Sequence, residues 1–418
     1  MIEQVLTIGL RKTGMKATVF QSHMDELRRL VETAEGEVVE EFSQTRPNPS
    51  PATYMGIGKI REISDRAKAL KVKTIVFDND LTASQQKKIE KIIPAKIVDR
   101  TRLILDIFAK RARTKEGQLQ VELAQLNYLV PRLTGSWRGY SQQSGGIGTR
   151  GPGERKIEVE RRYVRERIKH LKAGIDEIRS HRNLSRVNRA SVPLPQIALI
   201  GYTNAGKSTL LNTLVGKKEA VYADDKLFAT LDPTTRRVRL PAGRTVLFTD
   251  TVGFIQNLPQ SLMAAFQATL EEMTRANLLL HVVDATASNQ QEQIKTVLDV
   301  VKNLGADKIP MLVVANKVDR LPFGQREFLK KSGVLPVSAK TKEGLDQFLL
   351  DVEKKLSQSL LDVTFDLPYS KRNLLGHIYK TAHVISENST EEGTTLHVRL
   401  DENNWEKLQY QLRTGATS

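Results

Sequence analysis

The chain has 418 residues, with 64 Lys and Arg against 48 Asp and Glu, a formal net charge of +16. That length predicts about three domains, and the positive excess points to a polyanionic partner. Cys is absent and His numbers seven, which excludes disulfides and thiol chemistry and argues against a structural zinc site. No apolar run approaches the ~18–20 residues of a membrane span, and Met1-Ile2-Glu3-Gln4-Val5-Leu6 lacks the build of a signal peptide, so a soluble, cytoplasmic protein is expected. The charge is uneven. Basic against acidic residues number 18 to 15 over 1–106, 19 to 8 over 107–190, 21 to 17 over 191–358 and 6 to 8 over 359–418. Most of the excess sits just before residue 191.

Residues 1–106 alternate strand and helix signals and predict a small α/β domain. Strands are expected at Val5–Gly9, Thr74–Phe77 and Ala95–Val98, and helices at Met24–Thr33, Ile60–Leu70 and Ala83–Ile93. Gly56-Ile57-Gly58-Lys59 opens one of these helices and mimics a phosphate loop. Without the Ser/Thr and base-reading motifs that should follow, a local turn is the better reading.

Residues 107–190 read as a helical hairpin. Leu119, Leu123, Leu126, Val130 and Leu133 form one apolar stripe; Ile157, Val164, Ile168, Leu171, Ile175 and Ile178 form another. Between them, Thr134 to Gly153 is rich in Gly, Ser and Gln and carries Trp137, Arg138, Tyr140 and Arg150. Arg161, Arg162, Arg165, Arg167, Lys169 and Lys172 cover the second helix. A solvated basic face is the plain reading of most such runs. A long one-signed run crowned by a Gly-rich loop with aromatics suits structured RNA better. Asn183–Pro195 is expected to be a linker.

The stretch 191–358 carries four ordered motifs. Gly201-Tyr202-Thr203-Asn204-Ala205-Gly206-Lys207-Ser208 is a G-x-x-x-x-G-K-S phosphate loop between the apolar run Ile197–Ile200 and a predicted helix, Thr209–Val215. Its N–H groups would cradle phosphates, Lys207 would reach the β- and γ-phosphates and Ser208 would ligate Mg²⁺. Asp250-Thr251-Val252-Gly253 ends a second strand; Asp250 would hold Mg²⁺ through water, and the Gly253 N–H would sense the γ-phosphate. Asn316-Lys317-Val318-Asp319 ends a third strand, and an aspartate there pairs with guanine N1–H and N2–H₂, donors that adenine lacks. Ser338-Ala339-Lys340 would supply backbone groups to guanine O6. Phe228-Ala229-Thr230-Leu231-Asp232 lies where the first switch belongs, with Thr230, Thr234 and Thr235 all candidates to complete the Mg²⁺ shell in the GTP state. Asp284 reads as a strand end rather than a catalytic site. The fold class is α/β, a P-loop GTPase domain with an N-terminal α/β domain, a helical arm and a small C-terminal α+β module over 359–418. That module is expected to contain a strand at Val363–Leu367, a helix at Lys371–Thr381 and a hairpin of His383–Ser386 with Thr395–Leu400.

The chain resembles the HflX family of bacterial GTPases over essentially its full length. Gly201–Leu210, Phe228–Pro233 and Asp250–Ile255 match its GTPase motifs; Leu119–Leu126 and Gly145–Glu154 match its arm, and Tyr54–Lys59 its N-terminal domain. The resemblance implies a ribosome-associated GTPase that binds the large subunit and its rRNA and sets the arm's loop near the peptidyl-transferase centre. It further implies splitting of stalled or idle ribosomes, and assigns Thr230 as switch threonine and Mg²⁺ ligand. Lys207, Thr230 and Gly253 are then the expected catalytic groups, and a monomer is expected. The rival expectation is a GTP-regulated docking or assembly factor without splitting activity. An RNA-acting enzyme with its chemistry in residues 1–106 ranks last, because no acid/base or nucleophile constellation occurs there.

Two departures stand out. Many GTPases place a Gln after D-x-x-G to orient the attacking water; here the position is Phe254, so unaided hydrolysis should be slow. Asn204 resembles the asparagine of potassium-activated GTPases, which implies K⁺ beside the β,γ-bridge. The second follows Glu154: after Gly-Pro-Gly-Glu the family's usual run is Thr-x-Leu-Glu-x-Asp, and here it is Arg155-Lys156-Ile157-Glu158-Val159-Glu160. The added positive charge suggests an arm tuned to its rRNA site, as in a paralogue that displaces antibiotics.

Overall fold

Among the described residues, short apolar runs separated by amphipathic stretches close into three sheets. The computed structural model describes residues 2–133, 152–189, 194–216, 227–228, 230–256, 267–331, 333–358, 360–390 and 392–414. The first sheet holds β1 (Glu3–Lys12), β2 (Gly36–Arg46), β3 (Thr74–Phe77) and β4 (Lys96–Asp99) in the order β2-β1-β3-β4, all parallel. Helices α1 (Ala17–Thr33), α2 (Ile57–Ala69) and α3 (Ala83–Glu90) are its crossovers, as expected of parallel strands. Strand β2 was not expected. It is an edge strand whose residues mostly alternate between exposed and half-buried, so it carries no continuous apolar signal. The Gly56–Lys59 turn has the local role anticipated. The Gly56 N–H donates to Gln44 Oε1 at 2.8 Å, and Lys59 pairs with Glu62 at 2.6 Å while lying 5.4 Å from the Phe42 ring centre.

Helix α4 (Arg100–Arg111) follows β4 directly and runs through the boundary expected at 106/107. The arm is the antiparallel pair α5 (Lys115–Leu129) and α6 (Pro152–Arg189). Leu123, Leu171 and Ile175 are its buried knot, flanked by Leu119, Leu126 and Ile168. Val130 and Leu133, the last of the expected stripe, fall beyond the helix: Val130 caps it with helical backbone angles, and Pro131 has no N–H to continue the ladder. Arg132 there turns back to stack on Tyr128 and bond Asp99 at 2.9 Å. The expected linker from Asn183 is helix as far as Arg189. The tip loop, with Trp137, Arg138, Tyr140 and Arg150, lies outside the described residues, as do the side chains of 154–157.

The second sheet is the doubly wound one. Strands β5 (Gln196–Gly201), β6 (Thr234–Arg239), β7 (Thr245–Asp250), β8 (Leu278–Asp284), β9 (Met311–Asn316) and β10 (Leu335–Pro336) order as β10-β9-β8-β5-β7-β6, with only β6 antiparallel. The carboxyl ends of β5, β7 and β9 deliver the phosphate loop, D-x-x-G and N-K-x-D to one edge, where such sheets hold ligands. One face packs on α7 (Lys207–Val215) and the helix Leu345–Gln358. The other packs on the helices Gln267–Thr274 and Gln290–Asn303, with the N-terminal domain joining the same buried cluster. Leu27, Leu30, Ile104 and Phe108 from the first sheet's helices share one buried cluster with Ala198, Ile200, Phe228, Phe254 and Leu279. Two sheets therefore close on a common core.

The third sheet, β11 (Leu360–Pro368), β12 (His383–Ser389) and β13 (Gly393–Asp401), is antiparallel in the order β11-β13-β12. The expected helix begins as a 3-10 turn (Tyr369–Leu374) and becomes α-helical only over Leu375–Thr381; a further helix, Glu402–Thr414, was not anticipated. Leu367, Leu374, Ile378, Leu396, Val398, Leu400 and Leu408 give this module its own core. Among the described residues no helix is long and apolar enough to cross a membrane.

Candidate nucleotide site

The phosphate loop leaves β5 at Gly201 and enters α7 at Lys207. Gly206 has φ +92°, and a Cβ there would stand 2.2 Å from Asn316 Nδ2, so the position admits only glycine. Asn204 is also left-handed, φ +59°, a conformation Asn tolerates better than most residues. Lys207 is buried, and its Nζ donates to the carbonyls of Gly201 at 3.1 Å and Tyr202 at 2.8 Å. Burial pushes its pKa down to about 8, against the opposing pull of the Asp250 carboxylate. A desolvated ammonium held by carbonyls alone is a strong receptor for phosphate oxygens.

Beside it three oxygens converge. Ser208 Oγ lies 2.6 Å from Asp250 Oδ2, Thr230 Oγ1 lies 2.8 Å from the same oxygen, and the two hydroxyls are 2.8 Å apart. Adjacent ligands of an octahedral Mg²⁺ stand about 2.9 Å apart, since Mg–O bonds are about 2.0–2.1 Å. The second Asp250 oxygen is buried without a hydrogen-bond partner. The donor set and the orphaned oxygen fit a hard divalent cation. Thr234 and Thr235, the rival switch threonines, lie on β6: Thr234 bonds the Asp232 carbonyl and Thr235 bonds Thr249. Only Thr230 joins Ser208 and Asp250.

At the base end, Asn316 braces rather than reads. Its Nδ2 donates to the Ala205 carbonyl at 2.9 Å and its Oδ1 accepts from the Ala339 N–H at 3.0 Å, tying the phosphate loop to Ser338–Lys340. Ser338 Oγ donates to Asp319 Oδ1 at 2.7 Å, which fixes the carboxylate that would face guanine. Lys317, left-handed at φ +66°, pairs with Asp284 at 2.7 Å; burial would raise the Asp284 carboxyl, but that pairing and the Thr286 bonds together outweigh it and hold the group below its usual range. Asp284 is a clamp on the base motif.

One cavity gathers most of the expected set: Thr203, Asn204, Gly206, Lys207, Ser208, Phe228, Thr230, Thr251, Gly253, Asn316, Lys317, Asp319, Ala339 and Lys340. Thr209 and Arg320 line it too; sequence reading passed over both, although each directly follows a motif. Gly201, Ala205, Asp250 and Ser338 act one layer behind, through the bonds just given. Four expected contacts turn elsewhere. Leu231 and Val252 point into the shared core, and Val318 is buried with its N–H on the Val337 carbonyl at 3.3 Å. Tyr202 faces the N-terminal domain, its hydroxyl on Glu26 Oε2.

Asp232 leaves the cavity altogether. Its Oδ2 accepts from the N–H groups of Arg113 and Thr114, both at 2.9 Å, and its Oδ1 from the Thr114 hydroxyl at 2.5 Å. It therefore sits on the first turn of α5, where the helix dipole favours an anion. Leu227 and Phe228, at the other end of the segment, also dock outward. The Phe228 ring stands edge-on to Phe108, centroids 4.7 Å apart, and the Leu227 N–H donates to Thr33 Oγ1 at 3.2 Å. Phe228 holds φ +54°, a strained conformation for an aromatic residue that this packing sustains. Ala229 lies outside the described residues. Phe254 is buried in the core, its backbone bonded to Gly201 and Thr203 on either side of Tyr202, so its ring is no surrogate for a water-orienting glutamine.

A phosphate loop, D-x-x-G, N-K-x-D and S-A-K joined around one cavity define a P-loop GTPase. The family comparisons are specific. Residues 21–109 match the GTP-binding GTPase N-terminal family, 111–189 its middle region, 196–317 the 50S ribosome-binding GTPase family and 325–418 the HflX C-terminal domain. GTPase HflX of Caldanaerobacter subterraneus is 46% identical over 89% of this chain and 86% of that protein. GTPase HflX of Escherichia coli is 41% identical over 92% of this chain and 91% of that protein. The chain belongs to the HflX family of GTPases. A GDP-bound GTP-binding protein from Sulfolobus solfataricus is 22% identical at a TM-score of 0.45, over 85% of this chain and 99% of that one.

Proposed function

We propose that the protein is a GTP-switched factor that docks its basic arm on the large ribosomal subunit and separates stalled or idle ribosomes. The observation that carries this reading is the outward docking of the first switch. Leu227, Phe228 and Asp232 hold Thr33, Phe108 and Thr114, while Thr230 between them turns inward onto Asp250. A γ-phosphate that drew Thr230 inward would pull on the N-terminal domain and the foot of the arm together. Ser208 and Thr230 would hold Mg²⁺, with Asp250 behind them, and the ion would offset phosphate charge. Lys207 would bind the β- and γ-phosphates and the Gly253 N–H the γ-phosphate. Asn204, in the cavity wall, would hold K⁺ in place of the missing glutamine; equal GTPase rates in K⁺ and Na⁺ would remove that role. The arm's arginines would meet rRNA phosphates, and the tip loop would reach the peptidyl-transferase region, where antibiotic displacement is the finest form of the proposal.

The test is to incubate intact ribosomes with the protein and GTP, a non-hydrolysable analogue, GDP or ATP, and to measure free subunits on sucrose gradients. Splitting with GTP and its analogue but not with GDP or ATP is expected. Binding to large subunits with raised GTP turnover and no free subunits would overturn splitting in favour of the docking or assembly reading.

A further inference from the structure

The carboxyl ends of the parallel strands in the first sheet are where an α/β domain ordinarily takes a ligand. Here that position is filled by protein. Asp78 follows β3, Arg100 follows β4, and Glu26 projects from α1; all three are buried. Arg100 bridges the two carboxylates, on Asp78 Oδ1 at 2.7 Å and on Glu26 Oε1. The free oxygen of Glu26 accepts the hydroxyl of Tyr202, which the phosphate loop inserts across the domain boundary. Burial pushes Glu26 and Asp78 above the usual carboxylate range, opposed by Arg100.

Tyr202 is the pivot because its oxygen has a second partner. The N–H of Gln256, three residues beyond Gly253, donates to Tyr202 Oη at 2.7 Å. The loop and the segment after D-x-x-G are further joined by Thr203 N–H on the Phe254 carbonyl at 2.7 Å and Phe254 N–H on the Gly201 carbonyl at 3.0 Å. The Tyr202 carbonyl also accepts from Lys207 Nζ. One residue thus touches the N-terminal ion cluster, the segment after D-x-x-G and the phosphate-binding lysine.

We propose that Tyr202 is a positioning residue for GTP hydrolysis, and that Glu26, oriented by Arg100, holds it there. Glu26 fixes the ring; the ring fixes the Gln256 backbone; and the backbone sets Gly253 at the γ-phosphate. The position that follows D-x-x-G is Phe254, whose buried ring cannot orient water, so backbone placement carries more of the hydrolysis geometry than usual. The N-terminal domain then governs the chemical step while leaving nucleotide affinity alone.

Ribosome-free protein tests this, so the outcome is separate from subunit splitting. Single-turnover GTP hydrolysis and GDP affinity are measured for wild type, Tyr202→Phe, Glu26→Gln and the double variant. Asn289→Ala serves as control: its Nδ2 bonds Ser22 at 2.7 Å across the same two domains but does not touch Tyr202. Tyr202→Phe keeps the ring and the ion cluster, so it remains informative if Glu26→Gln fails to fold. The expected result is a fall of about tenfold in hydrolysis rate for each single variant, GDP affinity within about threefold, and a double variant no slower than either single. Asn289→Ala should match wild type. An unchanged rate in Tyr202→Phe, losses that multiply in the double variant, or an equal loss in Asn289→Ala would each overturn the proposal.

Discussion

Lys207 carries the most consequential charge in the molecule. In the nucleotide-free protein its pKa is depressed to about 8 by burial, with Asp250 opposing. Bound phosphates favour the protonated form, so the complex takes up a proton whenever the free protein has lost one. Association with GDP should therefore be near constant below pH 8 and weaken above it, by about tenfold between pH 7 and pH 9. Titration calorimetry in two buffers of different ionisation enthalpy measures both the loss and the proton uptake; a flat affinity with no uptake would show Lys207 charged throughout. The sign for stability is opposite. The unfolded lysine binds its proton up to the ordinary 10.5, so the cost of burying the charge is full below pH 8 and is relieved as pH rises from 8 to 10.5. A second residue-scale expectation concerns Ser208. Ser208→Ala removes one of three converging oxygens and should make GDP retention insensitive to added Mg²⁺, read as off-rates of a fluorescent GDP with Mg²⁺ or chelator. What the sequence revealed at this scale was residue type at motif positions, because phosphate and guanine demand particular donors. What it hid was direction. Tyr202 and Asp232 sit inside nucleotide-binding motifs yet point away, since their partners, Glu26 and Thr114, come from segments more than a hundred residues distant.

At the scale of elements, the foot of the arm sets two rules of helix stability against each other. Gly117 lies in the first turn of α5, where Ala should favour the helix by up to about 1 kcal/mol. A Cβ at Gly117, however, would stand 2.3 Å from Asp232 Oδ1. It would expel the carboxylate that caps Arg113 and Thr114, and loss of a cap costs about 0.5–2 kcal/mol. Gly117→Ala should therefore lower the melting temperature by a few degrees and release the first switch from the arm. A stabilised variant would mean that Asp232 can be dislodged freely. The hairpin is held by its apolar knot more than by its exposed Glu122–Arg167 pair. Leu171→Ala should cost about 2–5 kcal/mol within the arm, seen as faster proteolysis there, whereas Glu122→Ala should pass nearly unnoticed. The stripes on α5 and α6 were legible because a helix facing one partner shows one apolar face. Strand β2 and helix α4 were not, the first because it is a polar edge, the second because residues buried between two domains on opposite sides of a helix leave no single stripe.

The arrangement of cores fixes how the whole molecule should come apart. Counting motifs suggests four separable domains, but the largest buried cluster runs from Met24 and Phe108 through Phe228 and Phe254 to Leu279, so the N-terminal and GTPase sheets cannot be parted without opening it. No sequence pattern reports that, because an apolar residue at a domain boundary looks the same as one inside a domain. The C-terminal module keeps a separate core around Ile378, Leu396 and Leu408. Scanning calorimetry should accordingly resolve two transitions: a large one for the first two sheets together and a small one for the module. GDP binds only the folded nucleotide site, so at a hundred times its Kd it should add about 2.7 kcal/mol to the large transition and move it by several degrees. The small transition should stay where it is. Separate melting of the two large sheets would show that their shared apolar surface opens without cost. That result would also remove the stiff connection by which a change at Thr230 could reach both the N-terminal domain and the arm.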